Sequence, residues 1–242
     1  MTQSGDPREV HSGFIRRRKL RPVEREAGRT HQATLDREWW LRTLVVLVDP
    51  RSVFKALRDT SPEASEARQE PVLALVLLAG MAAAFAFPST GELLDDGTRD
   101  GLVVAVLVFL AGGLYGAATY LLGGGALAVG IRAAGAEGGT YRAARHLFAF
   151  AAAPLALSLF VLWPLELAVF GSDLFRTGGA DETGAGRWIF GGLELGFVAW
   201  AAGLLVLGVM TVHAWPLVRA LGAVALAGLA LLALAVVLSR LA

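Results

Sequence analysis

Cysteine is absent from the 242-residue sequence, which excludes disulfides, thiolate metal sites and a cysteine nucleophile. The four histidines, His11, His31, His146 and His213, are scattered, with no pair at a metal-ligand spacing such as H-x-x-x-H. Lys19 and Lys55 are the only lysines. Charge of either sign is scarce past the N-terminal region. Residues 1–70 hold 14 of the 22 lysines and arginines and 11 of the 21 acids. The net charge of +1 hides that asymmetry and gives no sign of nucleic-acid binding. No Walker A sequence, H-E-x-x-H or G-x-S-x-G occurs, so the chain reads as a non-enzyme with no cofactor and no metal. The first 38 residues contain no apolar run like that of a signal peptide, and their acids argue against an organellar transit peptide. The first true span is therefore expected to direct insertion.

What is present is apolar. Hydrophobic residues make up 55% and charged residues only 18%, with a mean hydropathy of +0.56, against about 25% charged in an ordinary soluble domain. The alanine, glycine and leucine content and the preference for arginine over lysine point to a GC-rich bacterial genome. Five spans are expected, at residues 71–87, 101–122, 147–170, 188–212 and 217–241. The first is uncharged and just long enough to cross at ~1.5 Å rise per residue. The second persists to Ile131 through Gly123-Gly124-Gly125, as one long helix or one kinked at the glycines. The third contains Pro154 and Pro164, which membrane helices tolerate. A short link at His213, Trp215 and Pro216 makes the last two a helical hairpin. The fold class is all-α: five transmembrane helices in one bundle, preceded by an amphipathic interfacial helix.

Two segments precede the 63–242 membrane domain. Residues 1–38 bury little and read as a disordered basic cytoplasmic tail. Residues 39–62 read as an amphipathic unit at the membrane interface. The apolar run from Trp39 to Val48 is too short to cross and contains Arg42, which would cost ~2.5–3.5 kcal/mol at mid-membrane. Asp49-Pro50 has the form of an N-cap followed by proline at the first helical position. Trp39, Trp40, Phe54 and Leu57 are the candidate anchors, the tryptophans at the polar boundary and the other two toward acyl chains or the first span.

Loop charge sets the topology. A cytoplasmic N-terminus places the basic 132–146 link, with Arg132, Arg142, Arg145 and His146, on the inside together with the Arg219 turn. The acidic 88–100 and 171–187 links then lie outside, as does the C-terminus. The expected location is the cell membrane.

Several constellations remain. Gly123-x-Gly125-x-x-Ala128 matches a dinucleotide fingerprint on paper but lies at the end of a membrane helix, not in a βαβ unit. Asp95-Asp96-x-x-x-Asp100 reads as an acidic outer loop, because nothing nearby except Arg99 would hold the phosphate a magnesium site needs. Gly112-x-x-x-Gly116 and Gly192-x-x-x-Gly196 allow close helix packing within the bundle or, less strongly, a homo-oligomer. Glu166 and Glu194 lie in apolar stretches near the outer ends of spans three and four. They are either a proton or cation site, or two shallow carboxyls that reach the interface, or one neutral acid bonded to a helix backbone.

The arrangement resembles the Yip family, and specifically its bacterial branch. The resemblance rests on Asp49-Pro50-Arg51-Ser52-Val53-Phe54 and Leu57 directly before the first span, and on five spans in order. It rests also on Gly139-Thr140-Tyr141-Arg142 leading into the stretch Ala149 to Pro154. The resemblance implies a non-enzymatic integral membrane protein, a scaffold or adaptor whose membrane or cytoplasmic partners dock on residues 1–70 and the 132–146 link. The eukaryotic members for which the family is named interact with Ypt/Rab GTPases, a role not expected in a bacterium. The competing expectation is a small transporter or channel using Glu166 and Glu194.

The topology is tested by single cysteines in the cysteine-free background. Labels at positions 90, 178 and 242 are expected to react from outside and one at Ala136 is not; outside labelling at Ala136 reverses the orientation.

Overall fold

The structure, a computed structural model, describes residues 22–86, 101–136, 140–171 and 184–241. Nine helices make up the described residues: α1 (Pro22–Val45), α2 (Pro50–Ala56), α3 (Pro62–Ala67), α4 (Gln69–Phe85), α5 (Gly101–Ala133), α6 (Tyr141–Ala151), α7 (Ala153–Phe170), α8 (Gly184–His213) and α9 (Leu217–Leu241). No strand occurs among these residues. Five stretches are long and apolar enough to cross a membrane: α3–α4, α5, α6–α7, α8 and α9.

Local chemistry sets the helix starts. Asp49 caps α2 by accepting the Ser52 N–H at 3.4 Å, and Pro50 takes the first turn. Ser61 and Pro62 do the same for α3, through the Ala64 N–H at 3.3 Å. Thr140 caps α6 by accepting the Ala143 N–H at 3.2 Å. That cap has a consequence the charge pattern concealed. Arg142, Arg145 and His146 lie on the first turns of a helix and not in a loop, and the 132–146 link contracts to the residues between Ala133 and Tyr141. The second span runs unbroken through Gly123-Gly124-Gly125 to Ala133. Between α8 and α9 the chain turns at Ala214, with a positive φ of 52°, and the Trp215 N–H donates back to the Met210 carbonyl at 3.1 Å.

Helix α5 is the axis of the bundle, with α4, α6 and α9 packed around it. Its glycines explain why. A Cβ at Gly80 of α4 would overlap the Gly112 carbonyl and the Gly116 backbone, and one at Gly116 would overlap the Val76 carbonyl. On the other side of α5, a Cβ at Gly130 would overlap the Ala223 carbonyl of α9. Gly123 and Gly124 lie under Phe148 and Arg145 of α6. Gly112 and Gly116 thus bring two spans into backbone contact. Among the described residues outside their own helical turns, no atom lies within 4 Å of where a Cβ at Gly192 or Gly196 would stand, so they make no close contact within the bundle.

The structure corrects the expectation for residues 22–62. Residues 22–38, expected to be disordered, are helical as part of α1. Leu35 packs against the core and Arg42 pairs with Glu38 one turn away at 3.5 Å, so the helix extends from its packed end. Residues 1–21 lie outside the described residues. Trp39, Phe54 and Leu57, expected to face the interface or acyl chains, are buried inside the protein core, at 1%, 0% and 5% exposure. Trp39 packs on Phe150 with ring centroids 5.7 Å apart. Phe54 lies over Gly208, against Leu147. Trp40 alone of the four keeps an outer face, at 44% exposure.

The end of α1 enters the bundle and α2 leads back out. Trp40, Leu44 and Leu47 share a groove with Leu75 and Leu78 of α4 and Phe160 of α7, and Leu78 lies roughly 13 Å along its helix at ~1.5 Å per residue. Phe54 then meets Gly208 and Arg58 meets Thr211, so α2 climbs alongside the last turns of α8. Residues 39–58 form a re-entrant helical hairpin. Arg42 in this segment is partnered, its guanidinium 4.4 Å from the Trp39 ring centroid and 3.5 Å from Glu38.

Two substitutions separate the roles of the glycines. Gly80→Leu is expected to destabilise the bundle by about 1–3 kcal/mol or more through overpacking, and Gly196→Leu to stay within about 0.5 kcal/mol of the parent. Chemical denaturation in detergent compares them, and equal stabilities would disprove the backbone-contact account.

Candidate functional site: a basic basin at one end of the bundle

Five helix ends meet on one side of the molecule: the starts of α3, α6 and α9 and the ends of α5 and α8. They enclose an open cavity of about 1000 Å³. Its lining includes Arg58, Arg68, Arg142 and Arg219, together with His213, Trp215, Thr60 and Thr140. No carboxylate from the described residues lines it.

Each arginine arrives by a separate route. Arg58, just after α2, reaches across to α8, where its Nε donates to the Thr211 carbonyl at 3.1 Å and its Nη2 donates to the same oxygen. Arg219, in the first turn of α9, donates from Nε to the Ala134 carbonyl at 2.8 Å and from Nη2 to the Gly135 carbonyl at 2.9 Å. Its guanidinium lies 4.1 Å from the Trp215 ring centroid. These two side chains therefore answer the orphan carbonyls at the C-terminal ends of α8 and α5, where the helix dipole favours a cation. The same contacts tie α2 to α8 and α9 to α5.

Arg68 joins α3 to α4 and is buried, at 3% exposure. Its Nη2 donates to the Asp59 carbonyl and to Ser65 Oγ, each at 2.9 Å, while its Nε has no partner. It also lies 5.4 Å from the Trp39 ring centroid, so the basin wall and the re-entrant hairpin share a side chain. Nearby, the Ser61 backbone N–H and hydroxyl hold the exposed Asp59 carboxyl below the usual carboxylate range, with a further contribution from the Arg68 charge. Arg142 is exposed on the first turn of α6 and makes no hydrogen bond or ion pair among the described residues. Arg145, one turn further, lies between Tyr120 and Tyr141, 5.3 and 4.5 Å from their ring centroids.

The two carboxyls singled out in the sequence are far from this basin and do not line it. Glu166 is buried, at 5% exposure, and Glu194 is half-buried. Phe170 of α7 meets Phe190 of α8 with centroids 5.1 Å apart. Glu166 lies one turn before Phe170 and Glu194 one turn after Phe190, so both stand at similar depth on the two antiparallel helices. Among the described residues no three His, Asp or Glu side chains group closely enough to hold a metal ion. The basin itself was missed in the sequence. Its only signal was a set of arginines at helix boundaries, separated by up to 161 positions from Arg58 to Arg219.

The fold defines a polytopic helical membrane protein. A family model, the Yip1 domain, matches residues 44–238, and the chain belongs to that family. The match begins in the last turns of α1, so the re-entrant corner and α2 belong to the domain with the five spans. Comparison with curated proteins and with solved structures returns no match.

Arg219→Gln is expected to lower stability by about 1–2 kcal/mol, because two carbonyls lose a charged donor. Arg219→Lys is expected to recover only part of it, since an ammonium lacks the planar fork. Denaturation midpoints in detergent check both.

Proposed function

We propose that this Yip1-domain protein is a non-enzymatic membrane scaffold or adaptor that engages its partners through the basic end of the bundle, and that this end faces the cytoplasm. The observation that carries the reading is the collection of Arg58, Arg68, Arg142 and Arg219 at one end, from four separate stretches of chain, with no lining carboxylate among the described residues. Short basic links favour the cytoplasmic side, and a positive surface there steers negatively charged partners to it. The same end carries the exposed Arg132 and the polar α3, with Glu63 and Glu66 outward, so a partner meets a mixed rim around the basic centre.

A photo-activated crosslinking residue placed at Glu66 and, separately, at Arg132 tests this in native membranes. The same discrete protein adduct is expected from both positions and not from Gly196 on the outer surface of α8. Adducts from Gly196 alone, or none from the basic end, would count against the adaptor reading.

A further inference from the structure

We propose that the basin is a binding site for one phosphate-bearing anion per chain, the phosphate either of a lipid headgroup or of a soluble compound. The inference does not depend on the adaptor reading, because it concerns what the cavity holds and not which protein docks around it.

The first ground is charge. Four guanidiniums line one cavity, and no described residue supplies it a carboxylate. The negative helix ends present, those of α5 and α8, are already met by Arg219 and Arg58. The starts of α6 and α9 add two further positive helix ends of 11 and 25 residues. Among the described residues, Asp59 is a carboxylate beside Arg68 and does not line the cavity, so the lining itself is positive and a bound anion would balance it.

The second ground is donor supply. A guanidinium has five N–H groups. Arg58 and Arg219 each use their Nε and Nη2 nitrogens on backbone, which leaves Nη1 of each without a hydrogen bond to the described residues. Arg68 is buried at 3% exposure, yet its Nε has no partner. Arg142 makes no hydrogen bond among the described residues. Thr60 and Thr140 add hydroxyls to the wall. Buried polar groups in folded proteins are ordinarily paired, so a buried arginine with an orphaned nitrogen at the edge of a cavity points to a ligand.

The third ground is size and place. A cavity of about 1000 Å³ is far larger than a halide needs and suits a headgroup or a phosphate ester. Guanidinium forks match the tetrahedral oxygens of phosphate. No described carboxylate on the lining pairs with an ammonium, so an acidic phosphate without a compensating amine is the better electrostatic match. The basin lies among the ends of helices long and apolar enough to cross a membrane, which is where a lipid phosphate could enter it.

The test uses the purified full-length chain in a neutral detergent. Native mass spectrometry follows retention of phosphatidic acid, phosphatidylglycerol or phosphatidylcholine, and thermal shift follows addition of inorganic phosphate. One saturable adduct with either acidic lipid and none with phosphatidylcholine supports the proposal and identifies a lipid source. A phosphate-induced shift without lipid retention supports it and identifies a soluble one. Arg142→Gln is expected to weaken binding by at least about tenfold, with helix content and melting midpoint retained because Arg142 holds no structural bond. Arg132→Gln, on the exposed surface outside the cavity, is expected to bind as the parent does. No binding of any probe overturns the proposal. So does equal weakening by Arg132→Gln and Arg142→Gln, which would mark a diffuse surface charge, or retention of one-to-one binding by Arg142→Gln.

Discussion

Helices in a bilayer gain no hydrophobic advantage by touching, because lipid tails are as apolar as leucine. The bundle therefore depends on how closely backbones approach, and that is decided on α5. Gly80 against Gly112 and Gly116, and Gly130 against Ala223, leave no room for a side-chain carbon. Dispersion between helix backbones falls off steeply with separation, so these contacts set the distance at which every other side chain is measured. The positions of α6, with Phe148 and Arg145 over Gly123 and Gly124, follow from the same axis. The basin at its end inherits that geometry.

The spans and the family were legible because long apolar runs and loop charge survive without tertiary information. The five spans and the all-helical bundle, like the Yip resemblance, stand in the structure and in the family match. What was illegible depended on pairing. The placement of Arg42 over the Trp39 ring, beside Glu38, is a contact that the sequence pattern does not show. Trp39 and Phe54 matched the composition of an interface, and only Phe150 and Gly208 reveal them as core. The boundary of α6 was hidden for a related reason. Arg142, Arg145 and His146 look like a loop by charge, while the Thr140 cap and the ring contacts of Arg145 make them a helix.

The basin illustrates a wider difficulty. Arginine at a helix C-terminus is ordinary dipole chemistry, and Arg58 and Arg219 each have that local explanation. Their meeting with Arg68 and Arg142 across one cavity is a property of the assembled helix ends alone. The hydrogen bonds that fasten α2 to α8 and α9 to α5 are thus made by side chains that also form the wall of the site, so stability and recognition share the same groups.

The re-entrant hairpin has a geometric consequence. The end of α1, α2 and α3 accompany the spans at the basic end. Phe54 over Gly208 of α8 and Trp39 on Phe150 of α6 fasten them there, so the segment that leads into the first span is held at two separate points of the bundle.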